Sequence, residues 1–109
     1  MIDIIYDYIK RKGGVSFVEV EQIFTENGFD YEGDMMIACP IPNVIVWGFW
    51  NSAAIEIMYS LKSMGVELQT SSPLVYYIDG KALNLPLCKS DKGYRKELHW
   101  LPAVMNVIK

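Results

Sequence analysis

Residues 15–20 constrain this chain more tightly than any other stretch. Ser16 and Glu19 have the S-x-x-E spacing of a capping box, and Val15 and Val20 stand where a hydrophobic staple closes over a helix start. Phe17, Val20, Ile23 and Phe24 then supply an apolar stripe, and Asn27-Gly28 supplies the stop. A helix over roughly this span is hard to avoid.

Its neighbours follow the same logic. Ile2, Ile5, Tyr6 and Ile9 recur at helical spacing, with Asp3 and Asp7 early, Lys10-Arg11-Lys12 late and Gly13-Gly14 as terminator, the charge order that the helix dipole favours. Ala54, Ile57, Met58, Leu61 and Met64 give a third amphipathic helix, capped by Asn51 or Ser52 and stopped by Gly65. Between the second and third helices the helical period disappears. Met35 to Cys39 and Val44 to Trp47 are short apolar runs around Pro40-Ile41-Pro42-Asn43, which predicts two strands, or for the second run a buried helical segment. After the third helix, Val66 to Gln69 reads as a strand. Leu74 to Ile78 and Lys81 to Leu87 read as a hairpin across an Asp79-Gly80 type I′ turn, with Pro73 and Pro86 at strand ends or edges. The run Leu98 to Ile108, broken by Pro102, is expected to pack back as a strand or a short helix.

Helices followed by a twisted hairpin give the expected class: α+β, a winged helix-turn-helix-like body of three helices with a C-terminal β-hairpin wing and extra short strands. In that arrangement Ser52 to Met64 occupies the place of the recognition helix. The length, 109 residues, suits one domain over 1–109 with one core. No apolar stretch reaches the roughly 20 residues of a membrane span, because Ile41 to Trp50 is interrupted by Pro42, Asn43 and Gly48. The opening MIDIIYDYIKRK reverses the charge order of a secretory signal, so a cytoplasmic protein with no membrane partner is expected. Cys39 and Cys88 lack a CxxC spacing and read as two buried thiols.

Residues suited to catalysis are scarce. His99 is the one histidine, no nucleophile signature surrounds any Ser or Cys, and a zinc site would have to gather ligands from distant segments. Gly13-Gly14 lacks the rest of a phosphate-binding loop, and Asp30, Glu32 and Asp34 lack the closing Glu of a calcium loop. The chain is therefore expected to be no enzyme and to need no metal or cofactor.

Charge is unevenly placed within a net −3. Gly13 to Leu61 holds no Lys or Arg but carries Glu19, Glu21, Glu26, Asp30, Glu32, Asp34 and Glu56, whereas bases dominate from Lys81 onward. Acidic middle and basic ends suit two faces of one body; ordinary solvated surface accounts for the same charges. On the third helix Ser52, Glu56, Tyr59, Ser60 and Ser63 would face outward with only Lys62 positive, a poor surface for a duplex groove. The tail interleaves bases with rings: cations neutralise phosphates and rings stack on unpaired bases, a pairing suited to single strands. The candidate nucleic-acid-binding residues are Lys10, Arg11, Lys12, Lys81, Lys89, Lys92, Tyr94, Arg95 and Lys96. Tyr94 and Trp100 have core or edge packing as the alternative role, the preferred one for Trp100, and Trp47, Phe49 and Trp50 suit a core, with an exposed part available to a partner.

The segments VSFVEVEQIFTENGF, SLKSMGVELQTSSPLVYYIDGKALNLPL and GYRKELHWLP, taken together, resemble a small winged-helix-like family of single-stranded-DNA-binding proteins encoded by staphylococcal cassette chromosome mobile elements. The resemblance covers most of the chain as overall pattern, without a short diagnostic motif. It implies sequence-nonspecific binding of single-stranded DNA during replication of a mobile element, beside replication proteins such as a helicase or primase. The competing expectation is a protein-interaction winged helix that modulates a replication or transcription enzyme. A duplex-reading repressor fits the acidic third helix worst.

Overall fold

The computed structural model describes residues 1–38, 43–88 and 98–108. Among them the chain is α+β, with four helices and two small sheets.

Helix α1 (Ile2–Lys12) buries Ile5 and Ile9 and ends at Gly13, whose φ of 68° suits a residue without Cβ. Helix α2 (Phe17–Glu26) starts as the sequence predicts: Ser16 Oγ accepts from the Glu19 backbone N–H at 3.2 Å. The Glu19 carboxylate, which a capping box would turn back on Ser16, is held instead by Tyr8 and Lys12. Strands β1 (Glu32–Ala38) and β2 (Val44–Trp50) form the antiparallel pair expected of the apolar runs, with breaks of register. One break leaves Phe49 as an extra residue between the pairs Met35↔Trp50 and Met36↔Gly48, with φ at 68° and its ring exposed. A non-glycine residue in that region is strained by about 1–2 kcal/mol. At another, Gly33 lies so close to the next segment that a Cβ would stand 2.7 Å from Asn51 N, Asn51 Cα and Trp50 O.

Asn51 anchors helix α3 (Ser52–Ser63) twice. Its Oδ1 accepts from Ala54 N at 2.9 Å, and its Nδ2 donates to the Asp30 carbonyl at 2.6 Å. Ala54, Ile55, Met58 and Leu61 form the buried face of α3. Strand β3 (Val66–Thr70) follows, as expected.

The expected hairpin over 74–87 is corrected. Leu74 to Asp79 is helix α4 (Leu74–Asp79), with Pro73 at its N-cap and Gly80 in the left-handed region at φ 87°. Asp-Gly fits either outcome, because a helix C-cap and a type I′ turn both ask for a positive φ. Tertiary contacts decide between them. Tyr76 is fully buried, stacks on Trp47 with ring centroids 5.0 Å apart, and meets Trp100 edge-on at 5.1 Å. Its hydroxyl accepts from Phe17 N at 3.3 Å and donates to the Ala103 carbonyl at 2.5 Å. Asp79 accepts from Ser16 Oγ at 2.6 Å. Residues 81–88 hold no strand, and Leu87 makes an isolated parallel bridge to Trp100.

The C-terminal apolar run divides into β4 (His99–Trp100), parallel to β2, and β5 (Ala103–Val107), antiparallel to β3. The first sheet has the order β1-β2-β4. In the second, Val15 bridges Met105 on the side of β5 away from β3, so β5 lies in the middle. The core cluster joins α1, α2 and α3 to Trp47, Trp50, Tyr76, Trp100 and Met105. No helix among the described residues is long and apolar enough to cross a membrane.

Candidate functional site

The α1 terminus carries the first basic cluster, and its members are not equivalent. Lys10 and Arg11 are exposed and in no ion pair among the described residues. Lys12 Nζ reaches Glu19 at 2.5 Å, and Tyr8 donates to the same carboxylate at 2.6 Å. The Glu19 hydrogen bond raises the pKa of both groups, which holds Lys12 charged and Tyr8 neutral. That leaves Lys10 and Arg11 as the outward positive charge of this end.

Lys81 is drawn into the fold by a residue that charge counting placed on an acidic face. Glu21, on α2, is 4% exposed. An unpaired carboxylate there would cost several kcal/mol, and three donors offset it. Trp47 Nε1 and Trp50 Nε1 both donate to its Oε2 at 2.8 Å, while Lys81 Nζ donates to its Oε1 at 2.6 Å. The ammonium also lies over two rings, 5.6 Å from the Tyr31 centroid and 5.8 Å from that of Trp47. Burial, then the Glu21 charge, pushes the Tyr31 phenol up. A cavity of about 380 Å³ opens beside the cluster, lined by Glu21, Gln22, Thr25, Glu26, Tyr31 and Lys81 among others. Composition had shown Glu21 only as one acid of seven; its place at the edge of the apolar stripe of α2, next to Val20, was the available signal.

Lys89, Lys92, Tyr94, Arg95 and Lys96, the basic-aromatic tail, lie outside the described residues, as does Cys39. Cys88 is buried. Trp100 is core: its ring is buried and its indole donates to the Val46 carbonyl at 3.1 Å. Of the aromatic stretch, Trp47 and Trp50 are core and Phe49 is exposed.

The outward side of α3 carries Ser52, Glu56, Tyr59, Lys62 and Ser63, with Ser60 half-buried. Beside it a smaller cavity of about 170 Å³ runs between α3 and the strands, lined by Met36, Ile37, Ile55, Tyr59, Lys62 and Leu68 among others. Sequence reasoning also missed a second exposed surface. On α4, Leu74, Tyr77 and Ile78 share one face and are all exposed, Ile78 at 83%. Reading this segment as strand put Leu74 and Ile78 on the face opposite Tyr77, which hid the stripe. No cluster of three metal-ligating side chains occurs among the described residues. Comparison of the chain with protein-family models, curated proteins and solved structures returns no match.

Proposed function

We propose that this chain is a non-catalytic binding module of winged-helix type whose ligand is single-stranded DNA, held without sequence preference in the replication of a mobile element. The observation that carries the reading is connectivity. The order α1, Val15 bridge, α2, α3, β3, β5, with β5 between Val15 and β3, supports a winged-helix reading in which the β1–β2 hairpin is inserted before α3, and α4 and β4 between β3 and β5. The outward charge supports a single-stranded rather than a duplex ligand. Glu56 on the third helix is ill suited to a groove lined by phosphates, whereas the exposed cations Lys10 and Arg11 at the end of α1 suit a single-stranded backbone. The resemblance to single-stranded-DNA-binding proteins of staphylococcal cassette chromosomes points the same way and supplies the replication setting.

Fluorescence anisotropy with labelled single- and double-stranded oligonucleotides, read across salt concentrations, tests this. Single strands should outcompete duplex of equal length. Each phosphate contact on a single strand contributes about 0.7 to the slope of log K against log salt, so Lys10→Gln with Arg11→Gln should reduce it by about 1.4. Absence of binding at low salt refutes the reading.

One observation favours a second reading. Leu74, Tyr77 and Ile78 give α4 an exposed apolar face that suits protein docking, as in a module that modulates a replication or transcription enzyme. Under that reading the oligonucleotides do not bind, and Ile78→Asp abolishes recovery of a protein partner.

A further inference from the structure

The Glu21 cluster has the parts of a ligand site, and one side chain of this chain already sits in it. Glu21 comes from α2, Trp47 and Trp50 from β2, and Tyr31 from the residue before β1. These elements hold the walls fixed: Trp47 stacks on Phe17 at an interplanar angle of 4° and on Tyr76, and Tyr31 packs on Phe24 and Trp50. Two indole N–H groups occupy Glu21 Oε2 and leave Oε1 to a cation. A carboxylate oxygen so aimed, with two ring faces within 6 Å of the position that the cation takes, is the recognition chemistry of an alkylammonium group. Lys81 belongs to none of these elements. It follows Gly80, past the end of α4, and its side chain is 49% exposed while its head is held. The adjoining cavity gives an incoming group access beside the Lys81 stem.

We propose that Glu21, Trp47 and Tyr31 form a binding site for a primary alkylammonium group, which Lys81 fills in cis and which a free alkylamine or the lysine side chain of another polypeptide takes when Lys81 leaves. The proposal is independent of DNA binding. Lys81 then acts as a tethered competitor: its backbone stays bonded to the Tyr76 carbonyl at 3.2 Å, so only its side chain swings out for another ammonium to enter.

The test removes the tether. Lys81→Ala should lower the melting temperature, and n-butylammonium should restore it saturably while shifting tryptophan emission; n-butanol and sodium chloride at equal concentration should do neither. Nα-acetyl-lysine amide separates the two sources: rescue by it as well as by butylammonium shows that a peptide lysine fits, and rescue by butylammonium alone limits the site to free amines. Wild-type protein should need at least tenfold more butylammonium for the same emission shift, and Lys81→Ala with Glu21→Gln should not respond. Equal responses from wild type and Lys81→Ala, or a response that survives Glu21→Gln, overturn the proposal. Should Lys81→Ala not fold, the wild-type chain supplies the second measurement: Lys81 should be acetylated by acetic anhydride at least tenfold more slowly than Lys10, and equal rates overturn the proposal.

Discussion

Replacing Tyr76 with Phe removes one oxygen from the centre of the molecule, and the structure says what that oxygen holds. Phe17 N is the first amide of α2 and has no partner within the helix; its hydrogen bond goes to the Tyr76 hydroxyl. Met105 exchanges both backbone bonds with Val15, so Ala103, two residues earlier on β5, turns its carbonyl to the same side, away from β3, where Tyr76 donates to it. Tyr76→Phe therefore keeps the ring packing against Trp47 and Trp100 and orphans two backbone groups at once. At about 1–3 kcal/mol for each of the two buried groups left unsatisfied, the loss should be about 2–6 kcal/mol. For a domain near 100 residues this lowers the melting temperature by about 8–24 °C. Thermal unfolding followed by circular dichroism gives the shift, and urea unfolding should show an unchanged m-value with a lower midpoint. A fall of less than about 3 °C would refute the placement of α4 against the start of α2 and the last strand.

The same residue sets an alkaline limit. Burial raises the Tyr76 pKa well above its ordinary 10.0, so the unfolded chain ionises first; this contribution to stability is whole below pH 10 and is lost as pH rises above it, and the decline in urea midpoint beyond pH 10 should be shallower in Tyr76→Phe. Gly33→Ala puts a Cβ 2.7 Å from backbone atoms that cannot rotate away; a loss of about 2 kcal/mol or more is expected in urea unfolding, and a neutral result would show that β1 does not approach Asn51 this closely. Phe49→Gly relieves a strained φ at an exposed position, so stability should hold or rise by up to about 1 kcal/mol, whereas Phe49→Ala should gain none of this.

What the sequence revealed was local. Ser16, Asn51, Gly13 and the apolar stripes of the first two helices are decisions made within one turn of chain and are seen where expected. Glu19 turns instead to Tyr8 and Lys12, and on α3 Ile55 is buried where the stripe named Ile57, which is half-buried, and Met64, which is exposed. The α4 segment was misread because LVYYID is rich in the β-branched and aromatic residues that favour strands. What makes it helical is distant in sequence: the groups at Phe17, Ala103 and Ser16 that Tyr76 and Asp79 satisfy. The candidate site divides along the same line. Lys10 and Arg11 stand outward because the last turn of an amphipathic helix leaves them there. Whether Lys12 and Lys81 face solvent or a carboxylate depended on Glu19 and Glu21, and a periodicity argument treats an acid on a helix as exposed by default.

The position of β5 has a consequence for biosynthesis. It is the middle strand of its sheet, joined to Val15 on one side and β3 on the other, and Tyr76 also bonds to it. A ribosome delivers residues 1–70 first, and until residue 107 has cleared the exit tunnel neither Val15 nor β3 has its partner. Helices α1 to α3 can form as they emerge, but the sheet cannot grow strand by strand behind them. Assembly of this half of the molecule should therefore come as one late, cooperative event, and a nascent chain stalled before β5 should remain open to protease at β3.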